Sequence, residues 1–239
     1  MIDLHCHLLP GIDDGAKTLE DAVAMCRMAV DDGITVAVAT PHIHPGRWPN
    51  TKDVIKRARD ELQEELIKRS IPLRLGFAGE VRLTDHLMEQ VMRDEIPFYG
   101  EVEGYRLMLL EFPHSHIVPG SDKIVRWLLE RGIRPMIAHP ERNKQVMKNP
   151  SEIDPFVEAG CWLQGTAGAL VGRFGERAQI VCEQLLTQGK LTTIASDAHN
   201  TGPRPPRIKM ALNRAEELIG SEGARKLVLQ LSKDDRAAA

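Results

Sequence analysis

Five histidines and four carboxylates are spaced so that a folded chain could gather them at one place. His5-Cys6-His7 comes first and is followed by Asp13-Asp14; His42, Glu80, Glu111, His139, Asp197 and His199 come later. His5 and His7 stand two apart, as do Asp197 and His199, so in extended chain each pair projects to one side. Imidazole mixed with carboxylate suits zinc, manganese or iron, whereas calcium and magnesium prefer oxygen alone. The candidates are His5, His7, one of Asp13 and Asp14, His42, Glu80, Glu111, His139, Asp197 and His199, nine in all. They exceed what one tetrahedral zinc uses. They suit two or three ions with one carboxylate bridging, an arrangement that can share a hydroxide and clamp a phosphoryl oxygen. Two arginines follow ligand positions closely: Arg142 in HPER, and Arg204 in the proline-stiffened NTGPRPP. Their paired N–H donors match phosphate oxygens. Each signal is weak alone, since an H-x-H is ordinarily a core or surface pair and a lone arginine a surface charge. The joint pattern is what points to a metal cluster beside a phosphate site.

Such a cluster needs elements that bring distant residues together. Short apolar runs at 2–6, 34–40, 72–78, 106–110, 133–138, 161–164 and 191–195 read as strands. Amphipathic stretches alternate with them. The first has Thr18 as its N-cap, Glu20 and Asp21 at its positive end and Gly33 at its close. Others lie at 52–68, 85–92, 122–131, 153–159 and 177–188, with two more at 207–219 and 222–231. Seven strands alternating with helices predict an α/β fold with parallel strands. A candidate ligand follows every strand except the sixth, as expected of a barrel with its active site at the C-terminal strand ends. Residues 1–231 read as a single domain, and 232–239 as a frayed, disordered tail.

The chain has 239 residues, enough for one sizeable core. Lys plus Arg is 31 and Asp plus Glu is 34, a net charge of −3. That balance gives no reason to expect nucleic acid or an anionic membrane as the main partner. Cys6, Cys26, Cys161 and Cys182 form no C-x-x-C pair and read as reduced thiols. The chain opens on a strand-like run instead of a signal peptide, and no apolar run is long enough to span a bilayer. A cytoplasmic protein is expected.

At these same residues the sequence resembles the PHP (polymerase and histidinol phosphatase) superfamily. More narrowly, it resembles the bacterial PHP-type protein tyrosine phosphatases of capsule and exopolysaccharide loci, the CpsB/YwqE group. The matching segments are MIDLHCHLLPGIDDG, ATPH, GFAGE, LLEFPH, IAHPER, LQGTAGALVGRFG and ASDAHNTGPRPP, in one order over nearly the whole chain. The resemblance implies a distorted seven-stranded (β/α)7 TIM-like barrel, the PHP fold, holding three divalent metals. His5, His7, Glu80 and Asp197 would hold the first ion. Glu80, Glu111 and His139 would hold the second, with Glu80 bridging. Asp14, His42 and His199 would hold the third. Arg142 and Arg204 would bind the phosphate. Manganese is the metal expected to support activity, with iron or zinc as alternatives. The implied substrate is phosphotyrosine on a protein, typically the tail of a bacterial tyrosine kinase that controls polysaccharide export. One departure is Pro203, which stands before Arg204 where the family pattern has a glycine. Arg47 and Trp48, just beyond His42, could face a phosphotyrosine ring or phosphate, or pack on the barrel rim.

The expected mechanism is direct attack of a metal-bridging hydroxide on phosphorus. Cysteine-based phosphatases need a C-x5-R loop. Here the sixth residues beyond the four cysteines are Ile12, Asp32, Ala167 and Gln188, so no such loop exists. No general acid is identified by the sequence. The alternatives are a PHP phosphatase of a small ester such as histidinol phosphate, a proofreading-type nuclease, and a non-catalytic metal-stabilised binding module. Oligomerisation is left open.

Overall fold

The computed structural model describes residues 1–228. The first strand, Ile2–Cys6, pairs in parallel with Val36–Ala39, and that strand with Arg74–Phe77. Nearer the C-terminal mouth the second and third strands resume as His42–His44 and Glu80–Arg82, again parallel. The fourth strand, Tyr105–Glu111, follows, then Ile133–Ala138, Trp162–Thr166 and Thr193–Ala195. The seventh returns to the first, where Asp197 donates its N–H to the His5 carbonyl at 2.7 Å and Cys6 bridges Ala198. A seven-stranded barrel results, with the strands where the apolar runs place them. It is distorted at Thr40-Pro41 and Ala78-Gly79, where the second and third strands are interrupted side by side. Pro41 has no N–H to give a ladder, but its carbonyl still accepts from Glu80 N at 3.1 Å, so the two halves stay in step.

Helices lie between the strands, and most of the core packs between the two layers. Thr18 caps helix Leu19–Asp31 in a full capping box with Asp21, and Thr51 caps Lys52–Lys68. The last helical region, Lys209–Lys226, is broken at Gly220 (φ 78°), which separates the two expected helices. The tail at 232–239 and the end of the 222–231 stretch lie outside the described residues. Two short hairpins were not legible as strands: His42–His44 with Trp48–Pro49, and Glu101–Val102 with the start of the fourth strand. Among the described residues no helix is long and apolar enough to cross a membrane.

Inside the barrel sits a smaller apolar cluster of Leu4, Val38, Ala78, Tyr99, Leu107, Leu109, Met136 and Ala138. It forms the layer beneath the mouth. Side chains two apart on a strand share a face, so Leu107 and Leu109 lead to Glu111, Ala78 to Glu80, and Trp162 to Gln164. The first strand needs a correction to this alternation. Asp3 pairs with Ala37 and Cys6 with Ala39, so three steps on one strand match two on its neighbour. One extra residue reverses the parity. His5 and His7 thereby join the inner side that Leu4 occupies, while Cys6 turns to the outer core.

The turn after the first strand is equally constrained. A Cβ on Gly15 would lie 2.2 Å from the His7 carbonyl oxygen and 2.5 Å from His7 Cβ, with no flexible atom to give way. Gly15→Ala is therefore expected to cost about 3 kcal/mol of stability, the upper range of overpacking. Gly132 is a contrast: it needs only φ +67° and faces open space, so Gly132→Ala should cost about 1 kcal/mol. Urea unfolding of both variants checks the order, and equal losses would contradict the close approach at Gly15.

Candidate metal centre

His5 and His7 are fully buried, and each ring is held by its Nδ1. His5 Nδ1 lies 2.7 Å from Gln164 Oε1, and His7 Nδ1 lies 2.7 Å from Asp13 Oδ2. Amide and carboxylate oxygens there accept from an N–H, so that in the neutral form each ring would turn the lone pair of Nε2 inward. The two Nε2 atoms are 3.2 Å apart. Glu80 Oε2 stands 3.5 Å from the first and 3.4 Å from the second; Asp197 Oδ1 stands 3.3 Å from each. Four donors bound tetrahedrally at 2.0–2.1 Å would be spaced by about 3.4 Å. The five spacings above match that figure, but Asp197 groups with His5 and His139 and not with His5, His7 and Glu80 together, so the four residues expected for the first ion are divided between two donor groups.

The remaining candidates lie around this set. His42 Nε2 is 3.2 Å from Asp14 Oδ1 and His199 Nε2 is 3.4 Å from the same oxygen. The His199 Nδ1 faces the Asp197 carbonyl at 3.0 Å. On the other side His139 Nε2 meets Glu80 Oε1 at 2.9 Å, and His42 Nδ1 meets Glu80 Oε2 at 2.7 Å. Glu111 groups with Glu80 and His42. All nine candidates thus fall into overlapping donor groups, with Glu80 shared between two. His7 groups with Asp14, His42 and His199 as well as with His5 and Glu80, so the boundary between ions is less sharp than the expected triplets.

Two buried atoms point to missing partners. Among the described residues, Glu80 Oε2 is crowded by imidazole nitrogens yet accepts no hydrogen bond of proper geometry, and His199 Nε2 has no hydrogen-bond partner. Buried polar atoms are rarely left so. Two of the candidates, His139 (φ 35°) and Asp197 (φ 50°), hold left-handed backbone at strand ends. Such strain in non-glycine residues tends to concentrate at functional sites.

The electrostatics fit a site built for positive charge. Burial opposes ionisation of Glu80, but His42 and His5 outweigh it and hold the carboxyl well below its usual range. Burial pushes His42 down, yet Glu80 raises it to about 10. His139 falls to about 3 through burial and the nearby Arg142. His199 falls to about 4 through burial and the charge of His7. Asp197 stays ionised against burial because His5, Arg142 and Arg204 face it. All four cysteines are buried free thiols. Burial lifts Cys26 and Cys161 to about 12 and carries Cys6 and Cys182 well above their ordinary value. None is poised as a nucleophile.

Above the donors opens a cavity of about 290 Å³. Arg142 and Arg204 line it, and both guanidinium groups meet Asp197 Oδ2, Arg204 at 2.6 Å. Pro203 therefore does not turn Arg204 away. Phe174 lies against both arginines, its ring centre 4.5 Å from the Arg142 guanidinium carbon and 5.9 Å from that of Arg204. Gly168 makes room, since a Cβ there would come within 2.9 Å of the Phe174 ring. Arg47, Trp48, Arg82 and His114 line the same cavity. A larger groove of about 780 Å³ beside helix Ser121–Leu129 contains none of the donors.

Several of these groups escaped the sequence reading. The sixth strand was read as carrying no ligand; its Gln164 instead orients His5, and strand parity alone could have placed it at the mouth. Asp13 was visible as an acidic neighbour of Asp14, but its pairing with His7 was not. Phe174 lay in the GRFG segment with no role assigned. His114 lay in the LLEFPH segment with no role assigned, and Arg82 carried no signal.

Comparisons with known proteins agree with this geometry. The tyrosine-protein phosphatase YwqE of Bacillus subtilis (strain 168) is 35% identical over 222 residues, covering 93% of this chain and 86% of that protein. The tyrosine-protein phosphatase CpsB of Streptococcus agalactiae serotype III is 26% identical over 239 residues, covering 96% of each. A solved structure from work on YwqE of Bacillus subtilis and CpsB of Streptococcus pneumoniae, described as metal-dependent tyrosine phosphatases, matches with a TM-score of 0.89 at 35% identity. It covers 95% of this chain and 91% of that one. The lactonase Lmo2620 from Listeria monocytogenes shares the fold alone, with a TM-score of 0.55 at 12% identity, covering 99% of this chain and 93% of that one. With residues 1–234 matched by the family described as capsular polysaccharide synthesis, CpsB/CapC, the chain belongs to the CpsB/CapC family.

Proposed function

We propose that this chain is a metal-dependent protein tyrosine phosphatase, acting on phosphotyrosine in a bacterial tyrosine kinase that regulates capsule or exopolysaccharide synthesis. The observation that carries this reading is the convergence of the candidate imidazoles and carboxylates into overlapping donor groups, beside two arginines that share Asp197. Family membership and the named relatives support the choice of substrate. Three ions per chain and manganese as the metal complete the proposal, with Glu80, Glu111 and His139 around the second ion and Asp14, His42 and His199 around the third. We further take residues 1–231 as the catalytic domain and the cytoplasm as its location.

The ions would lower the pKa of coordinated water and neutralise charge on the phosphoryl oxygens. The chain's own residues do the rest. Gln164 and Asp13 fix the two inward-facing imidazoles. Arg142 and Arg204 present N–H donors to the non-bridging phosphate oxygens, in the charge-assisted pairing that guanidinium makes with phosphate. Phe174 holds both guanidinium planes while a phosphate exchanges with Asp197 Oδ2. A phenolate leaving group has a pKa of about 10 and needs little protonation to depart.

Phosphate release from a tyrosine-phosphorylated peptide and from histidinol phosphate, with manganese, tests the reading directly. Wild type should prefer the peptide and lose activity to a chelator. His139→Ala should fall at least about 100-fold, the scale of losing one preorganised contact to the reacting group, whereas Cys6→Ser should stay within about twofold if its fold is kept. Preference for histidinol phosphate would move the assignment to the small-ester alternative. Equal activity in His139→Ala would remove the metal centre from the mechanism.

Proton linkage gives an independent check. In the metal-free site His42 holds its proton through neutral pH, so a cation must displace it. Apparent manganese affinity should rise with pH, by about tenfold per pH unit for each proton released. Calorimetry in buffers of different ionisation enthalpy measures the protons released, and pH-independent binding would contradict this site. Phe174→Leu should lower kcat/KM on the phosphopeptide by about tenfold, near the upper worth of a partly desolvated cation–π contact. Phe174→Trp should retain most of it; equal losses in both would assign Phe174 to packing alone.

A further inference from the structure

The mouth of the barrel has two cationic walls, and the chemistry above uses one. Arg142 follows the fifth strand and Arg204 follows the seventh, and both are answered by Asp197. The opposite wall comes from the second and third strands. There the hairpin of His42–His44 and Trp48–Pro49 places His44 opposite Trp48 and carries Arg47 in its turn. Arg82 stands at the end of the third strand, in register with Glu111 on the fourth, and pairs with it at 2.9 Å. Arg47, Trp48 and Arg82 line the same cavity as the candidate ligands.

The charges on this second wall are not balanced. Glu111 is the carboxylate partner of Arg82, and it also faces the donor cluster. Arg47 has no carboxylate within ion-pair distance among the described residues. Its guanidinium lies 5.5 Å from the Trp48 ring centre, and its side chain is exposed. A guanidinium resting on an indole face is held in place at little entropic cost while its N–H edges stay free.

A phosphotyrosine seated with its phosphate between Arg142 and Arg204 brings its main chain to the rim. Neighbouring residues of the peptide, each advancing about 3.5 Å, then pass over the hairpin wall. We propose that Arg47, held on Trp48, and Arg82 form a second subsite that binds the carboxylate of an Asp or Glu within two residues of the phosphotyrosine. The preferred substrate class is thus an acidic-flanked phosphotyrosine peptide. This rests on the tyrosine phosphatase reading and extends it from the reacting group to the sequence around it. Arg fits the role because it pairs with carboxylate through two parallel N–H bonds.

The test uses the full chain loaded with manganese and three peptides that differ only at the two residues flanking phosphotyrosine: Glu, Ala or Lys. Wild type should favour the Glu peptide over the Ala peptide in kcat/KM by about fivefold, the worth of a well-placed exposed ion pair, with the Lys peptide poorest. The preference should shrink as salt is added. Arg47→Glu should reverse the order, so that the Lys peptide becomes better than the Glu peptide. A misfolded variant cannot produce that gain. Equal rates on all three peptides in wild type would overturn the subsite and leave the phosphatase reading standing, as would an unchanged order in Arg47→Glu. Hydrolysis of histidinol phosphate with none of any peptide would overturn both.

Discussion

Glu80 is a carboxylate with no access to solvent, placed where seven strands end together. Leaving such a charge buried and unanswered would cost several kcal/mol. The rest of the mouth is arranged around that constraint. Imidazoles of His5, His7, His42 and His139 all approach its two oxygens. They supply partial compensation, but they are acceptors as much as donors, and only a few protons can be shared among them. A divalent cation removes the conflict, because it accepts lone pairs from carboxylate and neutral imidazole at once. The same residues are unfavourable without an ion and well matched with one. A barrel can hold them in position because most of the candidates stand at or just beyond the ends of paired strands.

Much of this was legible in the sequence, and for a specific reason. Strands buried on both faces must be apolar throughout, so runs such as 34–40 and 106–110 stand out, and polar residues directly beyond them mark the mouth. The candidate ligands and both arginines stand out in that way, and the resemblance to the CpsB/YwqE group selects Asp14 over Asp13. The parity of the first strand was not legible. An unbroken strand over 2–6 would set His5 on the face opposite Leu4. The extra residue that turns it inward follows Asp3, which accepts from the Ser196 N–H at 2.9 Å and from the Ser196 hydroxyl at 2.5 Å, 193 positions away. The groups that orient the ligands were hidden for the same reason. Gln164 and Asp13 acquire meaning from the ring each one faces, and that pairing is made by the closed barrel.

The hairpin at 42–49 was also missed as structure, although its Arg47 and Trp48 were noticed. The apolar alternation that signals a strand is absent there, and Pro45, Gly46 and Pro49 read as a loop. Pairing of His44 with Trp48 comes from the parallel strand beside it, since Glu80–Arg82 holds His42–His44 extended and the turn folds back from that edge. A short loop thereby becomes a fixed wall of the cavity.

Asp197 joins the two halves of the chemistry. Its Oδ1 sits within 3.3 Å of His5 Nε2 and His7 Nε2, while its Oδ2 holds Arg142 and Arg204. The two oxygens of one carboxylate therefore face the proposed metal floor and the phosphate wall separately. With a cation held at Oδ1, Oδ2 would be a weaker acceptor and both guanidinium groups would be freer to meet an incoming phosphate. Phosphate binding, in turn, takes the arginines from Oδ2 and leaves Asp197 freer to serve the cation. Binding free energies coupled through one group must be reciprocal. Metal and phosphate should accordingly strengthen each other at this site, with Phe174 keeping the arginines aligned as they pass from one anion to the other.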